Sequence, residues 1–208
     1  MREFTMDLWA KQNRHDGDRQ RLFAAVDDAV DVRRVLYPGS FVDVAASFVF
    51  PSVTYVDIDR RAPRFFDDVG GVNEIIAAHR PNSWSPTVAF IHADYGDTLD
   101  LPDEDFDLLV SLYAGFVSEH CTRYLRVGGT LLVNPSHGDA AMASIDDRYR
   151  LSGVVHHRDG RYSIAEHDLD TYLVPKKPVE LTAELLHRTR RGIAYTTSPF
   201  AYLFERTS

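Results

Sequence analysis

Residues 35–59, VLYPGSFVDVAASFVFPSVTYVDID, decide how this chain is read. Val35-Leu36-Tyr37 is a short apolar run of the buried-strand type, and Pro38-Gly39-Ser40 punctuates it as a turn. Ser40 followed three positions later by Asp43 resembles a capping box, which predicts a helix starting at the turn. Pro51-Ser52 stops that helix, and residues 53–58 are again strand-like, rich in β-branched side chains. Strand, tight glycine turn, short helix and strand form the first half of a nucleotide-binding α/β unit. A helix amino-terminus at the carboxyl end of a strand is electropositive and suits a polar ligand. An acid ending the second strand can bond both hydroxyls of a ribose, and Asp57 or Asp59 fills that place.

The alternation continues on both sides of this unit, which is the α/β pattern. Residues 18–30 carry Leu22, Val26, Ala29 and Val30 at helical spacing. Residues 62–80 predict a helix interrupted at Gly70-Gly71, and residues 88–92 a third strand ending at Asp94-Tyr95-Gly96-Asp97. Residues 106–112 are near-continuously apolar, as in a central strand buried on both faces. A helix over 116–126 with Gly128-Gly129 as its stop, and a fifth strand over 130–134, come next. The tail changes character. Residues 149–157, the turn Arg158-Asp159-Gly160 and residues 161–165 predict a hairpin, then a helix over 181–190 and a last strand over 200–205. No internal repeat or low-complexity linker divides the chain, so residues 1–208 are expected to form a single domain.

Composition narrows the function. A length of 208 residues suits one compact α/β domain with a sizeable core. A net charge of -8 opposes a general nucleic-acid or acidic-membrane binder. Cys121 is the sole cysteine, which removes any intrachain disulfide or cysteine-based zinc site. The amino-terminal residues are charged, and no run approaches a spanning helix, so a soluble cytoplasmic protein is expected.

With these residues in place the chain resembles a class I S-adenosylmethionine-dependent methyltransferase, over residues 32–135 and more weakly to the end. In the family's first motif only Gly39 of the glycine-rich turn is kept, within Tyr37-Pro38-Gly39-Ser40-Phe41-Val42-Asp43. Asp57 in VTYVDID matches the ribose-binding acid, and Asp94 in IHADYGD the acid that meets the adenine amino group. FDLLVSLY, a helix and LRVGGTLLV match the remaining pattern. The resemblance implies a Rossmann-like fold: a seven-stranded, mostly parallel sheet with antiparallel C-terminal strands and helices on both faces. It implies an S-adenosylmethionine site of Tyr37, Gly39, Ser40, Asp57, Ile58, Asp94, Tyr95 and Ser111. It also implies methyl transfer, for which a small-molecule acceptor is expected; the acidic balance, not the resemblance, speaks against a nucleic-acid or membrane partner. Alignment and desolvation supply most of the rate in such an in-line displacement, so neither a catalytic triad nor a metal is required.

Departures from the family pattern define the alternatives. Phe41 and Asp43 replace glycines that let the backbone pass close to the cofactor. Asp43 reads as a helix cap in preference to a partner for the cofactor's ammonium group. A non-catalytic relic of the fold, binding a nucleotide-like ligand or a protein partner, is the second reading. A nicotinamide-dependent oxidoreductase is the third, and the turn lacks its Gly-x-Gly-x-x-Gly spacing. Tyr113, ending the fourth strand, is expected to line a substrate pocket. His137 comes after Asn134-Pro135, read as a strand-ending turn, and belongs on the carboxyl edge of the sheet, either as a general base or as a solvated loop residue. Glu119 and His120 begin the helix after the fourth strand, near the expected substrate side, and read as a solvated helix face. His156-His157 are neighbours on a strand and point to opposite faces, so no metal site is expected there. Cys121 is expected to be half-buried.

Overall fold

The computed structural model describes residues 1–80 and 84–208. Strands β1 (Arg34–Pro38), β2 (Ser52–Asp57), β3 (Thr87–His92), β4 (Phe106–Ser111), β5 (Leu125–Val133), β6 (Tyr149–Arg158), β7 (Arg161–Ala165) and β8 (Ala201–Arg206) form one sheet. Their order is β3-β2-β1-β4-β5-β8-β6-β7. The first five strands are parallel, while β8 runs antiparallel to both β5 and β6, and β6 to β7. The sheet thus has eight strands where seven were expected. The last strand inserts between β5 and β6, which leaves β7 as an additional edge.

Helices α1 (Glu3–Gln12), α2 (Asp18–Asp27), α3 (Arg61–Phe66), α4 (Val69–His79), α5 (Val117–Cys121), α6 (Asp139–Ser144) and α7 (Ala183–Thr189) cover the two faces. Strand alternation sorts the core. Val35 and Tyr37 of β1 and Leu108 and Val110 of β4 pack with Leu22, Phe23, Phe65 and Ile75 on one face. Leu36 and Leu109, one residue out of step, pack with Val117, Cys121, Ala140 and Leu186 on the other. No described helix is long and apolar enough to cross a membrane.

Several local expectations change. No α-helix starts at the turn after β1; a single 3-10 turn forms instead at Ala45–Phe48. Residues 42–48 are all buried, so the segment has no solvent face for an amphipathic helix. The helix expected over 62–80 is two helices, broken at Asp67-Asp68 in place of Gly70-Gly71. Asp68 caps α4 by accepting from the Gly71 backbone N–H at 3.2 Å. It also accepts from the Arg2 N–H and the Thr5 hydroxyl, each at 2.7 Å, which ties α1 to the break. A side chain at Gly71 would collide with that carboxylate. The helix expected over 116–126 ends at Cys121 and passes through a 3-10 turn at Thr122–Tyr124. Gly128-Gly129 lie inside β5, near a register shift between β4 and β5. Cys121 is fully buried, and burial pushes its thiol up to about 12.

Candidate functional site

Between β1 and β4 the strand order reverses: β2 and β3 lie to one side of β1, β4 and β5 to the other. In an open α/β sheet this reversal leaves a crevice at the carboxyl ends of the strands. Here it holds a cleft of about 720 Å³. Its walls come from successive strand ends: Ile58 after β2, Asp94, Tyr95 and Gly96 after β3, and residues 113–116 after β4. Glu119 and His120 of α5, His137 after β5, and His187 and Arg190 of the α7 region complete them.

The loops forming these walls are tied to one another. Asp94 Oδ1 accepts from the Gly96 N–H at 2.8 Å, and the Tyr95 hydroxyl accepts from the Gly115 N–H at 2.9 Å, joining the β3 and β4 loops. Burial raises the Tyr95 hydroxyl above the usual phenol range. Asn134, 4 % exposed, accepts from the Tyr113 N–H at 3.2 Å through Oδ1. The turn expected at Asn134-Pro135 therefore also fixes the β4 loop. Three residues on the walls, Tyr113 (φ 59°), His137 (φ 57°) and Arg190 (φ 47°), hold left-handed backbone conformations that side chains adopt at an energetic cost.

Behind the cleft, Asp139 ties neighbouring elements together. It is fully buried, accepts from the hydroxyls of Ser111 and Ser118, and accepts from the Ser118 N–H at 3.1 Å. The end of β4, the start of α5 and the start of α6 are thereby held together. Burial pushes its carboxyl up to about 6, against the pull of the bonds from Ser111 and Ser118.

Five of the expected site residues line the cleft: Ile58, Asp94, Tyr95, Tyr113 and His137. The other five lie behind it. Ser111 is spent on Asp139 and is 1 % exposed. Tyr37 donates its hydroxyl to Asp43 at 3.1 Å, and Asp43 also faces Arg19 at 3.4 Å, so both point into the core. Burial raises the Asp43 carboxyl, with Arg19 opposing. Asp43 accepts from the Ala45 N–H at 3.2 Å, a local bond two positions on; the helix it was expected to cap does not form, and the 3-10 turn there has no side-chain cap. Gly39 (φ 67°) approaches the β4 loop so closely that a Cβ there would sit 2.8 Å from the Ala114 Cβ. Ser40 is buried, and its hydroxyl has no protein partner among the described residues. Asp57 is 8 % exposed and accepts from the Phe41 and Asp59 N–H groups, each at 2.7 Å. Asp59, the other strand-end acid, is paired with Arg61 at 2.7 Å, which holds its carboxyl down at about 2.

Glu119 and His120, expected on a solvated helix face near the substrate side, are partly exposed and stand on the cleft wall. Nothing in the sequence pattern singles out the other half of that wall, His187 and Arg190. His156 and His157 do diverge: His156 bonds the Tyr172 hydroxyl at 3.0 Å, while His157 stacks on Tyr162. Among the described residues no three His, Cys, Asp or Glu side chains converge as a metal-ligand set.

No protein-family model and no curated protein sequence matches the chain. Solved structures do match by shape. A provisionally assigned O-methyltransferase from Klebsiella pneumoniae is 9 % identical over 98 % of this chain and 90 % of its own, with a TM-score of 0.53. An S-adenosylmethionine-dependent methyltransferase from Methanosarcina mazei is 15 % identical over 88 % of this chain and 96 % of its own, with a TM-score of 0.44. The YcgJ protein of Bacillus subtilis is 18 % identical, with a TM-score of 0.39, and this chain spans 54 % of its length. The first of these carries the fold, in agreement with the strand order: the chain has the Rossmann-like methyltransferase fold.

Proposed function

We propose that the cleft is the site of a methyl transfer from S-adenosylmethionine to a small-molecule acceptor. One observation carries this reading: the cleft opens at the reversal of strand order, with Ile58, Asp94 and Tyr95 from the ends of β2 and β3 on its wall. These residues fit the adenosine half of the cofactor. Ile58, 63 % exposed, offers an apolar face to a base, and the Asp94 carboxylate accepts from an exocyclic amine. When bound, the sulfonium supplies an electrophilic methyl group.

The turn after β1 supports the site from behind. Gly39 rests on Ala114, and Asp57 fixes the Phe41 and Asp59 backbone. Tyr37, Gly39, Ser40, Asp57 and Ser111 on this reading hold the loops that shape the cleft. Its volume is of the order that takes a small ligand, about 300–1,000 Å³. The Asp94 and Glu119 carboxylates on its walls, together with the net charge of -8, oppose a polyanionic substrate.

Calorimetric titration with S-adenosylmethionine, S-adenosylhomocysteine and NAD tests the reading. Binding of the two adenosyl ligands is expected, weakened about tenfold or more by Ile58→Asp, which sets a carboxylate against the base. A preference for NAD, or adenosyl affinity that ignores Ile58→Asp, contradicts it. Absence of adenosyl binding leaves the fold without its methyl donor.

A further inference from the structure

Glu119 and His187 lie 68 positions apart in the chain, yet Nε2 of His187 sits 2.8 Å from Oε2 of Glu119 on the cleft wall. A carboxylate only accepts hydrogen bonds, so Nε2 carries the proton and Nδ1 is left with the lone pair. The imidazole is held on a second side by Phe116, whose ring meets it edge-on at 5.0 Å. Its neighbour Leu186 is fully buried and anchors α7, which Thr182 caps by accepting from the Leu185 N–H. The His187 side chain is 46 % exposed and that of Glu119 35 %. A polar contact this open contributes little to stability, so folding alone does not account for the arrangement. It has the form of an oriented base: a histidine whose tautomer is set by a carboxylate.

Resting on the methyl-transfer reading above, we propose that His187, positioned by Glu119, is the general base for an acceptor bearing an aromatic hydroxyl. An imidazole takes a proton far more readily from a phenol than from an alkyl alcohol, because the two acidities lie closer together. Tyr95, Tyr113 and Phe116 give the cleft aromatic walls for a flat ring. In the step, the hydroxyl proton passes to Nδ1 of His187 while an oxygen electron pair forms the new bond to the methyl carbon. The carbon–sulfur bond breaks, its electron pair stays on sulfur, and a neutral thioether leaves. The resulting imidazolium is stabilised by the Glu119 carboxylate until its proton passes to water.

Other charged or titratable groups share these walls. His120 lies 3.9 Å from the same carboxylate oxygen, Asp94 and Tyr95 face from β3, and His137 and Arg190 flank α7. Arg148, just before β6, is paired with Asp146. His187 is assigned over His120 because its contact is the shorter.

The test uses 4-nitrophenol with the full-length protein, below the pH at which the free phenol ionises, reading the phenolate absorbance band with no methyl donor present. The bound probe is expected to show the phenolate band. His187→Gln and Glu119→Gln should reduce it about fivefold or more, and Glu119→Asp should retain part of it. A band unchanged in His187→Gln, a band lost in His120→Gln instead, or no binding of the probe overturns the proposal. Calorimetry with S-adenosylhomocysteine on the same protein separates the two readings. Adenosyl binding without the band removes only the base; the band without adenosyl binding removes the methyl donor.

Discussion

Asp139 makes stability depend on pH in a direction opposite to that of an ordinary paired carboxylate. It is fully buried, faces three donors from Ser111 and Ser118, and its carboxyl is pushed from 3.8 up to about 6. The folded chain therefore holds this proton more tightly than the unfolded chain does. Between pH 3.8 and about 6 the native state binds the extra proton, so the contribution of Asp139 to stability falls as pH rises. A difference of roughly two pKa units corresponds to about 3 kcal/mol. For a chain of this length that is on the order of 6–12 °C in melting temperature. Carboxylates such as Asp59 and Asp146, held down by arginines, slope the other way, so the raw curve mixes both signs. The informative measurement is the difference between the wild type and Asp139→Asn in urea denaturation across this pH range. The variant loses an acceptor towards Ser118, which sets a constant offset. Above that offset its relative stability should improve by about 3 kcal/mol from the acid to the neutral end. A flat difference curve, or one of opposite slope, would refute the argument that burial dominates this carboxyl.

The residues behind the cleft give three further outcomes. Asp57→Ala should lower stability by about 2–4 kcal/mol, because the Phe41 and Asp59 N–H groups lose their acceptor; a denaturation midpoint equal to that of the parent counts against this supporting role. Gly39→Ala should cost about 1–3 kcal/mol from its left-handed backbone and its collision with Ala114. Adding Ala114→Gly should recover only the collision part, and a double-mutant cycle that shows no coupling would contradict the contact. Cys121 should resist a thiol reagent at pH 8 in the native protein and react once the chain is unfolded, since burial pushes its thiol up to about 12; fast labelling of the folded protein would show that α5 opens.

The sheet was legible in the sequence, because the signal of a strand is local. The run Val35-Leu36-Tyr37 alternates its side chains between two buried faces, and so does Leu108-Leu109-Val110. Apolar residues of that kind, bounded by Gly, Pro and Asp turns, allow few other arrangements. The order of strands and helices then placed Ile58, Asp94, Tyr95, Tyr113 and His137 at the carboxyl edge, where the cleft opens. The segment after β1 took its shape from tertiary packing. Ser40 and Asp43 have the spacing of a helix cap, but Asp43 is drawn inward by Tyr37 and Arg19, and residues 42–48 fill the core in place of presenting a helix face. Packing likewise engaged Asp57 with the distant Phe41 N–H and Ser111 with Asp139, partners that no local pattern reveals. The far wall was set by long-range contacts alone. Glu119 lies in a five-residue helix and His187 in one of seven, 68 positions later. The burial of Leu186, which anchors α7 beside α6, helps bring the two together, and a contact made through a third residue's packing leaves no period in the sequence.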